Sequence, residues 1–259
     1  MTPPGVLICA GLDPSGGAGL IADVRIVAAL GGRPVGVVTA TTVQNTTSVV
    51  GCTPLGAEAI REQLEFLLSD VEVMAVKIGM LGSSETALAI GHALALTRAP
   101  VVWDPITHAS RGDVALVDDL FGGALAALAP HVALLTPNVR ELALLVGRPI
   151  EDAAAAIAAG EQLATSLGVA VLVKGGHLGR HPSDSVDVLC GRDGTVTLRG
   201  ARIEHGEDVH GTGCALSTAI ATYLAHGASL VDACRDAKAF VAARLANPVR
   251  PGRGAGAVV

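Results

Sequence analysis

His210-Gly211-Thr212-Gly213-Cys214 runs directly into Ala215-Leu216-Ser217-Thr218-Ala219-Ile220-Ala221. Two glycines permit a sharp turn and a close approach of backbone to a ligand. The alanine-rich run behind them predicts a buried helix. Gly211, Thr212 and Gly213 then present free N–H groups at a helix N-terminus, where an anion is favoured. Cys214 falls in the first turn, and the same field favours a thiolate, lowering the thiol from its ordinary value of about 8.5. A phosphate pocket and an activatable side chain thus lie within a few residues. The same five residues also fit an ordinary loop-to-helix turn followed by a core cysteine, so the rest of the chain has to decide.

Other polar residues recur at the ends of apolar runs. Val6–Ala10 predicts a buried strand, followed by the glycine-rich stretch Gly11 to Gly19 and a helix over Leu20–Leu30. These glycines do not spell G-x-G-x-x-G, and no lysine completes a P-loop. A glycine-rich strand-to-helix turn still suits a small ligand. Asp23, in the first turns of that helix, reads equally as a ligand group and as a solvated carboxylate. Strands are predicted over Pro34–Val43, Val71–Ile78, Pro100–Trp103, Val132–Leu135 and Ala170–Val173. They end in Gln44, Lys77 to Met80, Asp104, Asn138 and Lys174. Helices are expected over Ala57–Leu68, Ser84–Leu96, Leu116–Leu128, a segment carrying Glu141 to about Val146, Ile150–Leu167, 210–226 and 230–246. Val186–Leu189 and Val196–Ile203 read as a hairpin, and the segment from Arg250 is glycine-rich. Alternating strands and helices predict an α/β fold with a largely parallel sheet covered on both faces. Ligands in such folds bind beyond the carboxyl ends of the strands, where these polar residues gather. No linker or internal repeat divides the 259 residues, so one domain is expected.

Composition narrows the function. Aromatic residues make up only 2% and the formal charge is -6, with no basic block, which argues against nucleic acid. No apolar run is long enough to span a membrane. The five cysteines are scattered without C-x-x-C spacing, which suits a reduced, cytoplasmic setting.

The ordered set of motifs resembles the ribokinase superfamily, and within it the hydroxymethylpyrimidine/phosphomethylpyrimidine kinases of thiamine biosynthesis. The residues that carry the likeness are Asp13-Pro14-Ser15-Gly16-Gly17-Ala18-Gly19, Gln44-Asn45-Thr46, Val76-Lys77-Ile78-Gly79-Met80-Leu81, Asp104-Pro105, Thr136-Pro137-Asn138 with Glu141, Lys174-Gly175-Gly176-His177 and the Cys214 motif. The resemblance implies a three-layer ribokinase-like fold and ATP- and Mg²⁺-dependent phosphorylation of a hydroxymethylpyrimidine, then of its monophosphate. Sugar kinases of the superfamily place aspartate where Cys214 stands; the pyrimidine kinases place cysteine.

On this resemblance Cys214 takes the substrate hydroxyl proton or orients that hydroxyl, and the amides of Gly211, Thr212 and Gly213 form an anion hole. Lys174 neutralises ATP phosphates. Asn138 and Glu141 hold the Mg²⁺ shell through water, with Asp104 adding charge nearby. Gln44 offers the donor–acceptor pair of an aminopyrimidine edge. Met80 packs on the ring or serves as a core methionine. Gly11, Asp23 and Thr107 complete the expected substrate site, and Lys77 is structural. Departures fall in the loop Ile106-Thr107-His108-Ala109-Ser110-Arg111, where relatives carry aliphatic residues or methionine, and at Ile21 and Val209. The polar loop keeps pyridoxal kinase as the alternative, and a non-enzymatic nucleotide-binding protein is the third reading. Family likeness also implies a homodimer.

Overall fold

The computed structural model describes residues 2–107, 123–175, 183–203, 206 and 209–258. Strand β1 (Gly5–Leu12) is buried along nearly its whole length and lies between β2 (Arg33–Gln44) and β4 (Ala75–Ile78), parallel to both. β5 (Val101–Trp103), β6 (Val132–Leu135) and β7 (Ala170–Val173) extend the parallel array. β3 (Val49–Pro54) pairs antiparallel with β2 at one edge; the hairpin β8 (Asp184–Gly191) and β9 (Gly194–Ala201) closes the other. The order is β3-β2-β1-β4-β5-β6-β7-β8-β9.

Side chains alternate across this sheet, as strand geometry requires. Leu7 and Cys9 enter one core with α2 (Ala57–Leu68), α3 (Ser84–Leu94), α4 (Leu125–Leu128), α5 (Val139–Val146) and α6 (Ala153–Leu167). Val6, Ile8 and Ala10 enter the other, with α1 (Gly19–Ala29), α7 (Thr212–Ala225) and α8 (Leu230–Leu245). Helices therefore cover both faces, and the parallel strands present their carboxyl ends on one rim. Among the described residues no helix is long and apolar enough to cross a membrane.

Several boundaries differ from the sequence reading for local reasons. β4 starts at Ala75 rather than Val71, because the Ser69, Asp70 and Val71 amides turn back onto carbonyls of α2. α6 starts at Ala153, where the Asp152 side chain accepts from the Ala155 amide at 2.7 Å. β3 was not anticipated, since Gly51 and Pro54 interrupt its pattern; an edge strand tolerates both. The 116–124 part of the expected helix Leu116–Leu128 lies mostly outside the described residues, as do His108 to Arg111 and His177. A two-residue strand, β10 (Val209–His210), pairs with another, β11 (Gly256–Ala257), apart from the main sheet.

Asp23 corrects an expectation. It is fully buried between α1, β4 and α7, and it does not reach the rim. Its Oδ2 accepts from Lys77 Nζ at 2.6 Å and its Oδ1 from the Thr218 hydroxyl at 2.6 Å. Burial opposes the Lys77 charge, but the facing Asp23 carboxylate, with Cys214 and Asp104 adding to it, holds the ammonium above its ordinary range. The pair ties two helices to the central strand beneath the rim. Removing one partner of a buried ion pair costs about 3–5 kcal/mol, because the other charge is stranded. Lys77→Met should therefore lose stability on that scale in denaturant unfolding, and Asp23→Leu combined with Lys77→Met should recover most of it. A single-variant loss below about 1 kcal/mol would show that the pair is not a structural tie.

Candidate active site

Close packing of backbone at the rim sets the geometry. Gly211 caps α7 with φ of +79°, and a Cβ there would lie 2.3 Å from the Gly17 carbonyl oxygen. Only glycine serves both conditions. Among the described residues no side chain caps this helix, so its first-turn N–H groups face the space beyond the N-terminus. A Cβ on Gly213 would stand 3.1 Å from Lys174 Nζ and 3.9 Å from Asp104 Oδ2. The bare backbone thus leaves a cradle in which amide donors and the Lys174 ammonium face the same volume.

Lys174 is set by the backbone just past β7: its amide donates to the Pro137 carbonyl, and it bridges to Asn138 in parallel register. Its Nζ meets Asp104 Oδ1 at 2.5 Å and Glu141 Oε2 at 3.8 Å. Asp104 is anchored in turn: its amide donates to the Ile78 carbonyl, and its Oδ1 accepts from the Thr136 hydroxyl at 3.2 Å. The two carboxylates hold the Lys174 ammonium well above its usual range despite burial. Burial pushes the Glu141 carboxyl up to about 6; Lys174 draws it down and Asp104 adds to the rise.

Asn138 and Glu141 have a local role that the spacing of three also encodes. Asn138 Oδ1 accepts from the Glu141 amide at 2.8 Å, and Glu141 Oε2 accepts from the Asn138 amide at 2.7 Å. This capping box starts α5. The Asn138 side-chain oxygen is therefore committed to the helix, while Glu141 and Asp104 keep carboxylate oxygens toward the cradle. Among the described residues no group of three His, Cys, Asp or Glu could hold a metal by itself.

Two cavities meet here. The first, about 520 Å³, is lined by Gly11, Gln44, Met80, Thr107 and Cys214 among others. The second, about 570 Å³, opens over β9 and α8, with Val196, Leu198, Leu216 and Ala242 in its wall. Lys174, Thr212 and Gly213 line both. Asp104, Asn138 and Glu141 border the first. Of the residues expected at the substrate site, Asp23 alone stands apart.

Cys214 is half-buried in the first cavity, and its charge state departs from the sequence expectation. Burial pushes the thiol up to about 12, with Asp104 and Asp23 adding to the rise and Lys77 and Lys174 opposing it. With burial raising it this far, the resting side chain is a thiol rather than a thiolate.

Gln44 closes the far wall. Its Nε2 donates to His210 Nε2 at 3.1 Å, and its Oε1 accepts from the Thr42 hydroxyl at 3.2 Å. A Cβ on Gly11 would come within 2.2 Å of Met80 Cε, so the glycine makes room for Met80. Sequence reasoning gave no role to Asp13 or His210. Asp13 Oδ1 accepts from the Ser15 amide at 2.8 Å and Oδ2 from the Ala18 amide at 3.0 Å, fixing the Gly16–Gly19 turn. The Asp-Pro-Ser-Gly signature of such a turn was the available signal. His210 lies 3.7 Å from Asp13 Oδ2.

Residues 13–259 match the family model for phosphomethylpyrimidine kinase. The chain belongs to the phosphomethylpyrimidine kinase family. It is 38% identical over 265 residues to the hydroxymethylpyrimidine/phosphomethylpyrimidine kinase of Streptomyces coelicolor, covering all of this chain and 94% of that protein. The crystal structure of phosphomethylpyrimidine kinase from Clostridium difficile 630 superposes with a TM-score of 0.76 at 32% identity, over 93% of this chain and 98% of that one. Pyridoxal kinase from Staphylococcus aureus, in complex with AMP-PCP and pyridoxal, superposes with a TM-score of 0.85 at 27% identity, over 100% and 94%. The ribokinase-like α/β fold expected from the sequence is thus shared with solved kinases of this family and its neighbours.

The thiol assignment is directly measurable. Alkylation of Cys214, followed by peptide mass spectrometry, should keep accelerating about tenfold per pH unit past pH 9, since only the thiolate reacts. A plateau below pH 8 would show a thiolate in the resting kinase.

Proposed function

We propose that this chain transfers the γ-phosphoryl group of ATP to the hydroxyl of 4-amino-5-hydroxymethyl-2-methylpyrimidine, and then phosphorylates the resulting monophosphate, as a single kinase domain in thiamine biosynthesis. The observation that carries this reading is the meeting of two cavities at Lys174 and Gly213, with Cys214 on the side of the first. ATP fits the second cavity, with its phosphates reaching the cradle, and the pyrimidine fits the first. The alcohol oxygen forms a bond to the γ-phosphorus as the bond to the β,γ-bridging oxygen breaks.

Charge on the transferred group is met by the first-turn amides of α7 and by Lys174. Phosphoryl transfer passes through a loose transition state, so the alcohol proton leaves late, onto an oxygen of the transferred phosphoryl group as the new bond forms. A resting Cys214 thiol therefore orients the hydroxyl rather than stripping it beforehand. The second substrate needs still less help, since a phosphate monoester is already an oxyanion near neutral pH. Gln44, fixed by His210, reads the aminopyrimidine edge, and Met80 packs against the ring.

The donor set suits Mg²⁺, which takes one or two carboxylates and leaves its remaining positions to phosphate and water. Asp104 and Glu141 would hold it, and it would neutralise charge on the phosphates. Asn138 contributes by capping the helix that carries Glu141. We further propose a homodimer working in the cytoplasm, a setting that suits the five free cysteines. Phosphorylation of pyridoxal is the second reading, favoured by the 0.85 match to a pyridoxal kinase.

A phosphoryl-transfer panel separates them. With ATP, kcat/KM should be highest for the hydroxymethylpyrimidine and its monophosphate, and Gln44→Leu should lower it for the pyrimidine by about 10–100-fold, as expected when a buried polar edge loses its partner at about 1–3 kcal/mol. The KM for ATP should stay unchanged. Highest kcat/KM for pyridoxal, or equal losses for both substrates in Gln44→Leu, would overturn the pyrimidine assignment.

A further inference from the structure

The glycine-rich segment at the end of the described chain has no part in the chemistry above, yet it packs behind the first cavity, against the elements that carry Gln44 and His210. Ala255, Ala257 and Val258 are buried. The Ala255 amide donates to the Thr46 carbonyl at 2.8 Å, and the Gly254 amide to the Thr46 hydroxyl at 3.1 Å. Two residues on, Gly256 and Ala257 pair with Val209 and His210 in parallel register. Ala257 and Val249 exchange both backbone hydrogen bonds, at 2.8 and 3.0 Å, which folds the segment back on itself. The segment also reaches the Gly16–Gly19 turn, since a Cβ on Gly17 would lie 3.6 Å from Ala257 Cβ.

The glycines are required by close approach. A Cβ on Gly254 would lie 2.0 Å from the Thr46 carbonyl oxygen and 2.7 Å from the Thr47 amide. A Cβ on Gly252 would lie 2.5 Å from the Thr46 hydroxyl. Thr46 is the tip of a tight turn that Asn45 organises by accepting from the Thr47 and Ser48 amides. Gln44 is the last residue before that turn. The segment thus grips, through backbone alone, the turn that follows Gln44 and the strand that carries His210. Those two residues meet across the cavity at 3.1 Å.

We propose that residues 254–258 form a positioning strap that holds Gln44 and His210 in register, and so sets affinity for the ring-bearing substrate without touching it. This rests on the reading of Gln44 as a substrate group. The strap joins the elements that carry Gln44 and His210, and both of those residues line the first cavity and not the second. Its loosening is therefore felt by the alcohol and not by ATP.

The test is Gly254→Ala, with Arg253→Ala as the control, because Arg253 is exposed in the same segment. Wild-type turnover on the pyrimidine and pyridoxal reports separately on the proposed activity, and the strap is read on whichever alcohol the wild type uses. In Gly254→Ala the KM for that alcohol should rise at least tenfold, with kcat and the KM for ATP within twofold of wild type and Arg253→Ala unchanged. Hydrogen–deuterium exchange on the wild-type protein supplies a readout independent of the variant's folding. Saturating alcohol should slow exchange of the Ala255 and Ala257 amides at least tenfold, and ATP alone should not. An unchanged alcohol KM in folded Gly254→Ala, or exchange at these amides indifferent to the alcohol, would overturn the proposal.

Discussion

The site depends on where one positive charge is held. Lys174 Nζ sits 2.5 Å from Asp104 and 3.8 Å from Glu141, in a position shielded from most solvent. A charge so placed is stable only with partners, and both partners come from neighbouring parallel strands or the helix just after one. Asp104 follows β5, Glu141 lies in the first turn after β6, and Lys174 follows β7. The parallel order β5-β6-β7 is thus what makes the ion cluster, and the cluster is what an incoming phosphate would find.

Bare backbone completes the arrangement. Gly213 leaves open the volume beside Lys174, and Gly211 lets α7 start against the Gly17 carbonyl. Beneath them, the Lys77–Asp23–Thr218 group fixes the relation of α1 and α7 to β4. The rim is therefore rigid at its floor, where charge must be placed accurately. The far wall around Gln44 is held by the turn at Thr46 and the paired segment 256–257.

Much of the fold was legible because parallel strands buried on both faces read as short apolar runs with polar ends. Gln44, Asp104, Asn138 and Lys174 stood out for that reason. What the sequence hid depended on distant partners. Asp23 carries the same local pattern whether it is solvated or meets Lys77, 54 positions away. The helix start at Cys214 was legible, but the burial that raises its thiol is a tertiary property. Asn138 and Glu141 are three apart, a spacing that serves a capping box as well as a metal pair, and only the structure shows the box formed. The glycines after Arg250 were legible only as a glycine-rich segment, because the Thr46 residue they approach lies 208 positions before Gly254. Gly51 and Pro54 masked an edge strand in the same way.

Phosphoryl transfer is proposed to occur where the two cavities meet, at Lys174. The most direct measurement is turnover of Lys174→Met at saturating ATP and pyrimidine, alongside calorimetric binding of the pyrimidine and a cooperative unfolding transition. Loss of a preorganised donor to the developing charge costs about 10²–10³-fold in kcat. A loss of that size is expected, with pyrimidine affinity within a few-fold of wild type. Turnover within tenfold of wild type would contradict it and move the reacting phosphoryl group away from the junction.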